Sequence, residues 1–205
     1  WPWPKSTLGL TAEFGEDGYC QKCAIPFEGN SGNLHLQRSG LTPTGAWLPY
    51  WRVDTICMDA ATTEKVRSRF TVNLRPVLSP SGPLDGVTQL LIPSSRSPWF
   101  DQTELEVMED KHGDFRGKTC PVCGRWRWRS LWWGKLPPIL PDVDFEGGPA
   151  IAAPEWFGSG LSSYRPFVVK GELAELLVAS SPRDFGILEP EELRGIAGTK
   201  PRWMP

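Results

Sequence analysis

The sequence predicts an α+β protein that is mostly antiparallel β-sheet and is organised around two distant cysteine pairs. Three observations support this class. Each pair, Cys20/Cys23 and Cys120/Cys123, has the C-x-x-C spacing of a metal-binding knuckle. Several segments alternate between apolar and polar residues, as half-buried strands do. The last third of the chain, 139–205, has the pattern of a strand, a helix and a strand.

Length and composition favour a single domain. A chain of 205 residues that is 40% hydrophobic and 22% charged has ordinary globular values, although 11 Trp and 21 Pro are unusual. We therefore expect one α+β domain over residues 1–205. Within it we expect a knuckle module formed by 18–26 and 118–134, an insert at 27–117, and the strand-helix-strand portion at 139–205.

The first half of the chain predicts three strands. The segment "NLHLQRSG" at 33–40 alternates between polar and apolar residues. In "VRSRFTVNLRP" at 66–76, Val, Ser, Phe, Val and Leu face one way and mostly Arg the other, which predicts a half-exposed strand ending before the proline. "VTQLLIP" at 87–93 is typical of a buried strand, and the acidic segment at 101–110 gives no clear prediction.

The second half predicts three further strands and one helix. "GRWRWRSLWW" at 124–133 alternates Arg and Trp, which indicates a strand that leaves the second cysteine pair. "YRPFVVK" at 164–170 predicts a strand, and "GELAELLVASS" at 171–181 predicts a short helix with three leucines on one face. "RDFGILEP" at 183–190 predicts the closing strand.

The cysteine pairs predict a structural zinc site with Cys20, Cys23, Cys120 and Cys123 as ligands. A C-x-x-C turn brings two thiolates to one ion, and two facing turns complete a closed tetrahedral site. Since Cys23 and Cys120 lie 97 positions apart, the chain between them must fold as an insert and return. The alternatives are a redox C-x-x-C motif or unlinked buried thiols, but neither following segment begins like the helix of a redox motif.

Positive charge is concentrated after the second cysteine pair. Residues 111–138 carry seven Lys/Arg against one Asp/Glu, in a chain whose net charge is -2. Strand alternation would place Arg125, Arg127 and Arg129 on one face and the two tryptophans between them on the other. Nucleic-acid binding by stacking requires the aromatic rings on the same surface as the arginines. We therefore favour buried tryptophans and an arginine face turned towards solvent or an acidic protein partner.

The remaining reactive residues predict no active site. The sequence contains no G-x-S-x-G, P-loop or G-x-G-x-x-G motif. His35 alternates with leucines as a strand residue does, and His112 lies in a polar turn. We interpret Asp142 and Asp144 as exposed loop acids rather than cation ligands, and Cys57 as buried packing. We expect a binding protein and not an enzyme.

The hydropathy of the chain and the arrangement of its cysteines predict the compartment in which the protein lies. The chain has no apolar run near the roughly 18–20 residues that a membrane-spanning helix needs, so we expect no membrane insertion. Four of the five cysteines lie in C-x-x-C pairs, which favours a metal site in a reducing compartment over a disulfide scaffold. We expect a cytoplasmic protein.

The chain resembles the double-CXXCG motif proteins, a paralogous family abundant in myxobacteria. The resemblance rests on the two distant C-x-x-C pairs, on "CPVCG" at 120–124, and on "GLSSYRPFVVKGELAELLVASSPRDFGILEPEE" at 160–192. Members of that family similarly end in a strand, a short helix and a strand. Only the four paired cysteines carry over residue by residue. The chain departs from the family pattern at Ala24, where glycine is usual, and alanine tolerates fewer turn geometries.

The resemblance implies a function because some members of the family are immunity proteins paired with toxins delivered by contact between cells. It implies that this chain binds and blocks a cognate toxin without catalysis. Arg125, Arg127 and Arg129 are then the candidate partner-binding residues. The alternative is a zinc-ribbon nucleic-acid-binding protein that uses the Arg/Trp-rich strand, and its affinity would fall steeply with salt.

Overall fold

The computed structural model describes residues 17–27, 32–36, 43–49, 52–112, 117–131, 136–140, 143, 148–158 and 163–186. These residues form a mixed α+β structure whose sheets are antiparallel, with three helices, and this confirms the predicted fold class. The helices are α1 (Ala60–Arg69), α2 (Gln102–His112) and α3 (Gly171–Ser180). None of the helices described is long and apolar enough to cross a membrane.

The largest sheet has four strands in the order β1-β2-β4-β3. They are β1 (Ala46–Trp47), β2 (Ile56–Met58), β3 (Asn73–Ser79) and β4 (Gly82–Leu91). The strand predicted at 87–93 corresponds to the second half of β4. Two smaller sheets each pair two strands, namely β5 (Lys118–Thr119) with β6 (Trp126–Arg127) and β7 (Ala150–Ala152) with β8 (Phe167–Val169).

The prediction of one strand over 66–76 is wrong in its first half, because α1 continues to Arg69. Asp59 caps this helix, since its Oδ1 accepts a hydrogen bond of 2.7 Å from the Thr62 backbone N–H. The helix buries Thr62, Thr63 and Val66, so its buried face is mainly threonine. The sequence therefore shows no helical repeat of apolar residues in this segment. The chain becomes extended at Phe70, and the observed strand, β3, begins at Asn73.

The segment without a prediction at 101–110 contains most of α2. Asp101 accepts a hydrogen bond of 3.0 Å from the Glu104 N–H at the start of the helix. Leu105 and Glu109, four residues apart, are both buried on its inner face. An inner face that includes a buried carboxylate gives a weak amphipathic pattern.

The C-terminal strand and helix are found where the sequence predicts them, as β8 and α3. Helix α3 buries the three predicted leucines, Leu173, Leu176 and Leu177, against the largest sheet. The predicted closing strand is only partly described. Residues 183–186 lie in a turn and not in a strand, and 187–190 lie outside the described residues.

The four-stranded sheet has a core on each face. On one face, Ile56, Met58 and Leu90 pack with residues from α1, α3 and β7. On the other face, Cys57 and Val87 belong to a separate cluster with Leu34, Leu36, Trp47, Val77 and Leu84. The alternation of side chains along β2 and β4 produces this division. The burial of Cys57 agrees with its interpretation as a packing residue.

A third core connects the sheet to the cysteine region. It contains Trp99, Phe100, Leu105, Trp128, Leu131, Val143, Ile151, Ala153 and Phe157. Strand β7 belongs to two cores, because Ala150 and Ala152 pack on the large sheet whereas Ile151 faces this third cluster. The chain at 150–157 therefore passes from the main sheet to the cysteines.

One buried amide fixes the segment that covers the second face of the sheet. Gln89 is fully buried, accepts a hydrogen bond of 2.7 Å from the Leu34 N–H, and donates one of 2.7 Å to the Gly32 carbonyl. We predict that Gln89→Leu lowers the free energy of unfolding by about 2–3 kcal/mol, because a buried backbone donor and acceptor both lose their partner. Urea unfolding measures this difference.

The matched control is Gln102→Leu, since the Gln102 amide makes only an exposed hydrogen bond to Glu106 within α2. We expect this control to change the free energy of unfolding by less than about 0.5 kcal/mol. Equal effects of the two substitutions would contradict the role assigned to Gln89.

Candidate metal centre

The first knuckle is a tight turn from Cys20 to Cys23. The Ala24 N–H donates to the Cys20 carbonyl at 2.7 Å, and the Cys20 N–H donates to the Ile25 carbonyl at 3.0 Å. A single antiparallel bridge joins Tyr19 to Pro26 outside the turn. Cys20 and Cys23 are both buried, so the turn directs its two thiols inwards.

The second knuckle repeats this geometry one hundred positions later. The Gly124 N–H donates to the Cys120 carbonyl at 2.9 Å, and the Cys120 N–H donates to the Arg125 carbonyl at 2.8 Å. The pairing of Thr119 with Trp126 in the β5–β6 ribbon corresponds to that of Tyr19 with Pro26. Two segments with little sequence in common thus adopt one turn, because the C-x-x-C spacing sets the pattern of hydrogen bonds.

The four sulfur atoms of the two knuckles form one cluster. All four Sγ atoms lie within 4.8 Å of one another, and Cys20–Cys120 and Cys23–Cys123 are each separated by 3.7 Å. Four thiolates around one zinc ion at about 2.3 Å would be separated from one another by about 3.8 Å. The cluster therefore has the size and the ligand number of a closed tetrahedral metal site and can hold a metal ion.

The surroundings shift the thiol pKa values in opposite directions. Hydrogen bonds from the backbone N–H groups of Cys123 and Val122 lower the pKa of the Cys120 thiol to about 6. Burial raises the pKa of Cys23 to about 12 and also raises that of Cys123. The protein thus stabilises the Cys120 thiolate by itself, whereas burial disfavours the thiolates of Cys23 and Cys123, which a bound cation would stabilise.

Apolar side chains cover one side of the sulfur cluster. Ile25 and Trp156 are buried in the same cluster as the cysteines. Trp156 is held beside the second knuckle because its carbonyl accepts a hydrogen bond of 3.3 Å from the Trp128 N–H. These side chains exclude water from that side of the ligands and strengthen the attraction between thiolates and a cation.

Glu109 on α2 anchors the open end of the β5–β6 ribbon, where β5 begins and β6 ends. Its Oε2 accepts a hydrogen bond of 2.8 Å from the Gly117 N–H, and its Oε1 accepts one from the Arg129 N–H. Its side chain is buried, so these bonds are protected from water. The sequence analysis missed this residue, because no local pattern relates an acid on a helix to a strand that follows it.

Arg125 connects the second knuckle to the first. Its Nη1 donates to the Pro26 carbonyl and its Nη2 to the Phe27 carbonyl, while its guanidinium lies 5.4 Å from the centre of the Phe27 ring. This residue was predicted to face solvent or a partner. It is half-buried, and its guanidinium holds the two knuckles together.

The Arg/Trp segment forms a shorter strand than predicted. Only Trp126–Arg127 belong to β6, and 132–133 lie outside the described residues. The indoles of Trp126 and Trp128 do lie together, with ring centroids 5.4 Å apart, and Trp128 is buried in the third core. Arg127 and Arg129 are half-buried. The tryptophans thus pack inwards, as the sequence analysis favoured.

The β5–β6 ribbon has two positive charges opposite each other. Lys118 pairs directly with Arg127 across the ribbon, and Lys118 is exposed. Like charges at directly opposite positions repel and destabilise the pair of strands. The next register pair, Thr119 with Trp126, faces the other side. One face of the ribbon is therefore electropositive.

Of the other residues considered from the sequence, His35 and Cys57 lie in or beside the large sheet. His35 forms a bridge with Leu78 next to the large sheet. The side chain of His112, together with Asp142 and Asp144, falls outside the described residues. The searched part of the chain contains one group of three or more potential metal-ligating side chains, and it consists of the four predicted cysteines.

Comparisons of the chain with protein-family models, with curated proteins and with solved structures give no match. The resemblance to the double-CXXCG proteins therefore stays a prediction. The function is therefore inferred from the four-cysteine cluster and from the surface of the β5–β6 ribbon.

Ala24 and Gly124 occupy equivalent positions after the two knuckles, and both have left-handed backbone angles, with φ of 57° and 69°. Ala24 is the one non-glycine residue with positive φ in the part of the chain that the structure describes. We predict that Gly124→Ala lowers the free energy of unfolding by about 1–2 kcal/mol, because alanine is strained there. We predict that Ala24→Gly raises it by about 0.5–1 kcal/mol, since relief of strain exceeds the added flexibility of the unfolded chain.

Thermal unfolding of the two variants with metal present measures both changes. A Cβ at Gly124 would meet no atom within 4 Å, so a clash does not complicate the comparison. A loss of stability in Ala24→Gly would contradict the strain assigned to Ala24.

Proposed function

We propose that the four cysteines bind one structural zinc ion. The separation of 3.7 Å within two cross-knuckle pairs supports this proposal, because it fits thiolates that share one tetrahedral ion. Four thiolates leave no coordination position open for a substrate, so the ion stabilises the fold and does not act in catalysis. It fixes the relative position of two segments that the sequence separates by 97 residues.

We further propose that the chain is a non-enzymatic, cytoplasmic immunity protein that binds and neutralises a cognate toxin. The observation that carries a binding role is the electropositive ribbon face, where Lys118 lies opposite Arg127. An acidic group from a partner would relieve their repulsion and gain binding energy. The toxin itself is inferred from the resemblance to the double-CXXCG proteins.

The exposed apolar residues of the knuckles extend this surface. Val122, at the tip of the second knuckle, is 69% exposed, and Phe27, after the first, is 40% exposed. Lys22 is also exposed on the first knuckle. Apolar contacts surrounded by positive charge suit an acidic protein surface. We propose that three half-buried arginines form the border of this surface, namely Arg125, Arg127 and Arg129. Arg125 also donates hydrogen bonds to the Pro26 and Phe27 carbonyls.

The same geometry favours a protein partner over a nucleic acid. Stacking on bases requires aromatic faces that are exposed beside the cations. Trp128 is buried, Trp126 packs against it, and the Phe27 ring has the Arg125 guanidinium over it. The ribbon thus presents cations without a stacking platform.

A non-catalytic role is supported by two features. The proposed metal site is closed by four protein ligands. A cavity beside the large sheet is lined, within the described part of the chain, by residues that include Asn73, Leu91 and Pro149, and none of these described lining residues is titratable. Catalysis would require titratable or nucleophilic groups that converge in such a space.

We predict about one zinc ion per chain in protein purified without chelator, measured by elemental analysis. Cys120→Ser should lose the metal and lower the free energy of unfolding by on the order of 5 kcal/mol or more, because metal binding and folding are coupled. Cys57→Ala is the matched control, since Cys57 is equally buried but lies in the large sheet. It should keep its zinc. A Cys120→Ser variant that melts like the parent would show that the site is not structural.

We predict that Lys118→Glu abolishes binding of the partner but slightly stabilises the free protein. The substitution replaces a repulsive pair by an attractive one across the ribbon, worth roughly 0.2–1 kcal/mol, and it presents the wrong charge to an acidic partner. Arg67→Glu, an equal change of charge at an exposed position of α1, should leave binding intact.

The partner is captured from lysate of the protein's own host after nuclease treatment, and is then expressed alone and together with each variant. The proposal expects a protein whose expression stops growth, rescue by the parent and by Arg67→Glu, and no rescue by Lys118→Glu. A partner without toxicity would contradict the immunity role. Recovery of nucleic acid that nuclease removes would favour the nucleic-acid-binding alternative instead.

A further inference from the structure

Three charged side chains are buried together near the sulfur cluster. Arg52, Asp54 and Arg165 are each 2% exposed. The Arg52 Nε lies 3.7 Å from the Asp54 Oδ1, and the Arg165 guanidinium is close enough to both for their charges to affect its pKa. Two cations and one anion leave this buried trio with a net charge of +1. A net charge in a protein interior is costly unless an opposite charge lies nearby.

Arg165 and Asp54 are buried without full hydrogen bonding. Burial lowers the pKa of the Arg165 guanidinium, so its surroundings disfavour the positive charge. Among the described residues, the Arg165 Nε and both Asp54 carboxylate oxygens have no hydrogen-bond partner. The buried charge of Arg165 is therefore stabilised mainly by the charges and rings around it.

Trp156 lies between this trio and the sulfur atoms. The Arg165 guanidinium carbon lies 5.0 Å from the centre of a Trp156 ring. Trp156 also belongs to the buried cluster that contains Cys20, Cys23 and Cys120. One buried indole thus contacts both the cation and the cysteine cluster, in surroundings of low polarity where charges interact strongly.

The metal centre would supply negative charge on the far side of the Trp156 ring from Arg165. A divalent ion with four thiolates carries a formal charge of -2. That charge is opposite in sign to the trio across Trp156. We propose that Arg165, held by Asp54 behind Trp156, is the counter-charge of the metal–thiolate centre and strengthens metal binding without being a ligand. This inference rests on the proposed metal occupancy.

The proposal is tested by changing the charge of the trio in both directions. Arg165→Gln reduces its net charge to zero, Asp54→Asn increases it to +2, and the double variant restores +1. Zinc affinity is measured by competition with a chromogenic chelator at fixed pH, and folding of each variant by thermal unfolding. We expect Arg165→Gln to weaken zinc binding roughly 10–100-fold, as is typical of residues that support a metal site from outside its ligands.

The direction in which Asp54→Asn changes zinc affinity distinguishes an effect of charge from an effect of lost stability. If Arg165 acts by charge, Asp54→Asn binds zinc more tightly than the parent even though it melts at a lower temperature, and the double variant lies between the single ones. A packing role would instead make both single variants bind zinc more weakly, in proportion to their loss of stability. That result would overturn the proposal.

Two controls complete the experiment. Arg183→Gln makes the same chemical change at an exposed arginine paired with Asp184, and it should leave zinc affinity unchanged. Metal analysis of the parent protein distinguishes failure of the proposed zinc site from failure of the proposed role of Arg165. A parent without metal overturns the zinc site and this inference together, whereas a zinc-bound parent matched in affinity by Arg165→Gln overturns only this inference.

Discussion

The convergence of four thiols from two distant turns is the constraint on which the rest of the structure depends. The pairs Cys20–Cys120 and Cys23–Cys123 require the chain between the knuckles to start and finish at one place. Closing so long a segment costs conformational entropy, which grows slowly with length. The antiparallel four-stranded sheet solves the geometric problem, because its strands return the chain repeatedly to the same region.

The segment at 150–157 transmits this constraint to the remainder of the fold. Its first residues form β7 and pack on the large sheet, and its last residues lie beside the second knuckle. Between them, Glu155 accepts a hydrogen bond of 2.7 Å from the Trp99 N–H and another from the Phe100 N–H. Burial raises the pKa of Glu155. One short segment therefore joins three cores, so damage at the sulfur cluster affects packing far from it.

Features that depend on local residue spacing could be predicted from the sequence, whereas features that depend on contacts between distant residues could not. The C-x-x-C spacing identified the four cysteines, and the leucine period identified α3. Helix α1 was missed because Thr62 and Thr63 form much of its buried face. Trp156 was missed because it lies in a segment without a periodic pattern, and Arg165 because a strand prediction at 164–170 does not say which distant side chains a strand residue contacts. Trp156 packs in the cysteine cluster beside Trp128, and Arg165 lies over the Trp156 ring.

The separation of the knuckles also has a consequence for synthesis. A ribosome makes about 5–20 residues per second, so the first knuckle emerges roughly 5–20 s before the second. During that interval its two thiols have no partner pair and can bind metal only weakly. Stable metal uptake must wait until the insert has emerged and folded well enough to bring the knuckles together. The proposed metal centre can therefore form only after the strands of the large sheet have been synthesised, and a nascent chain that misfolds in the insert leaves its first two thiols without their partners.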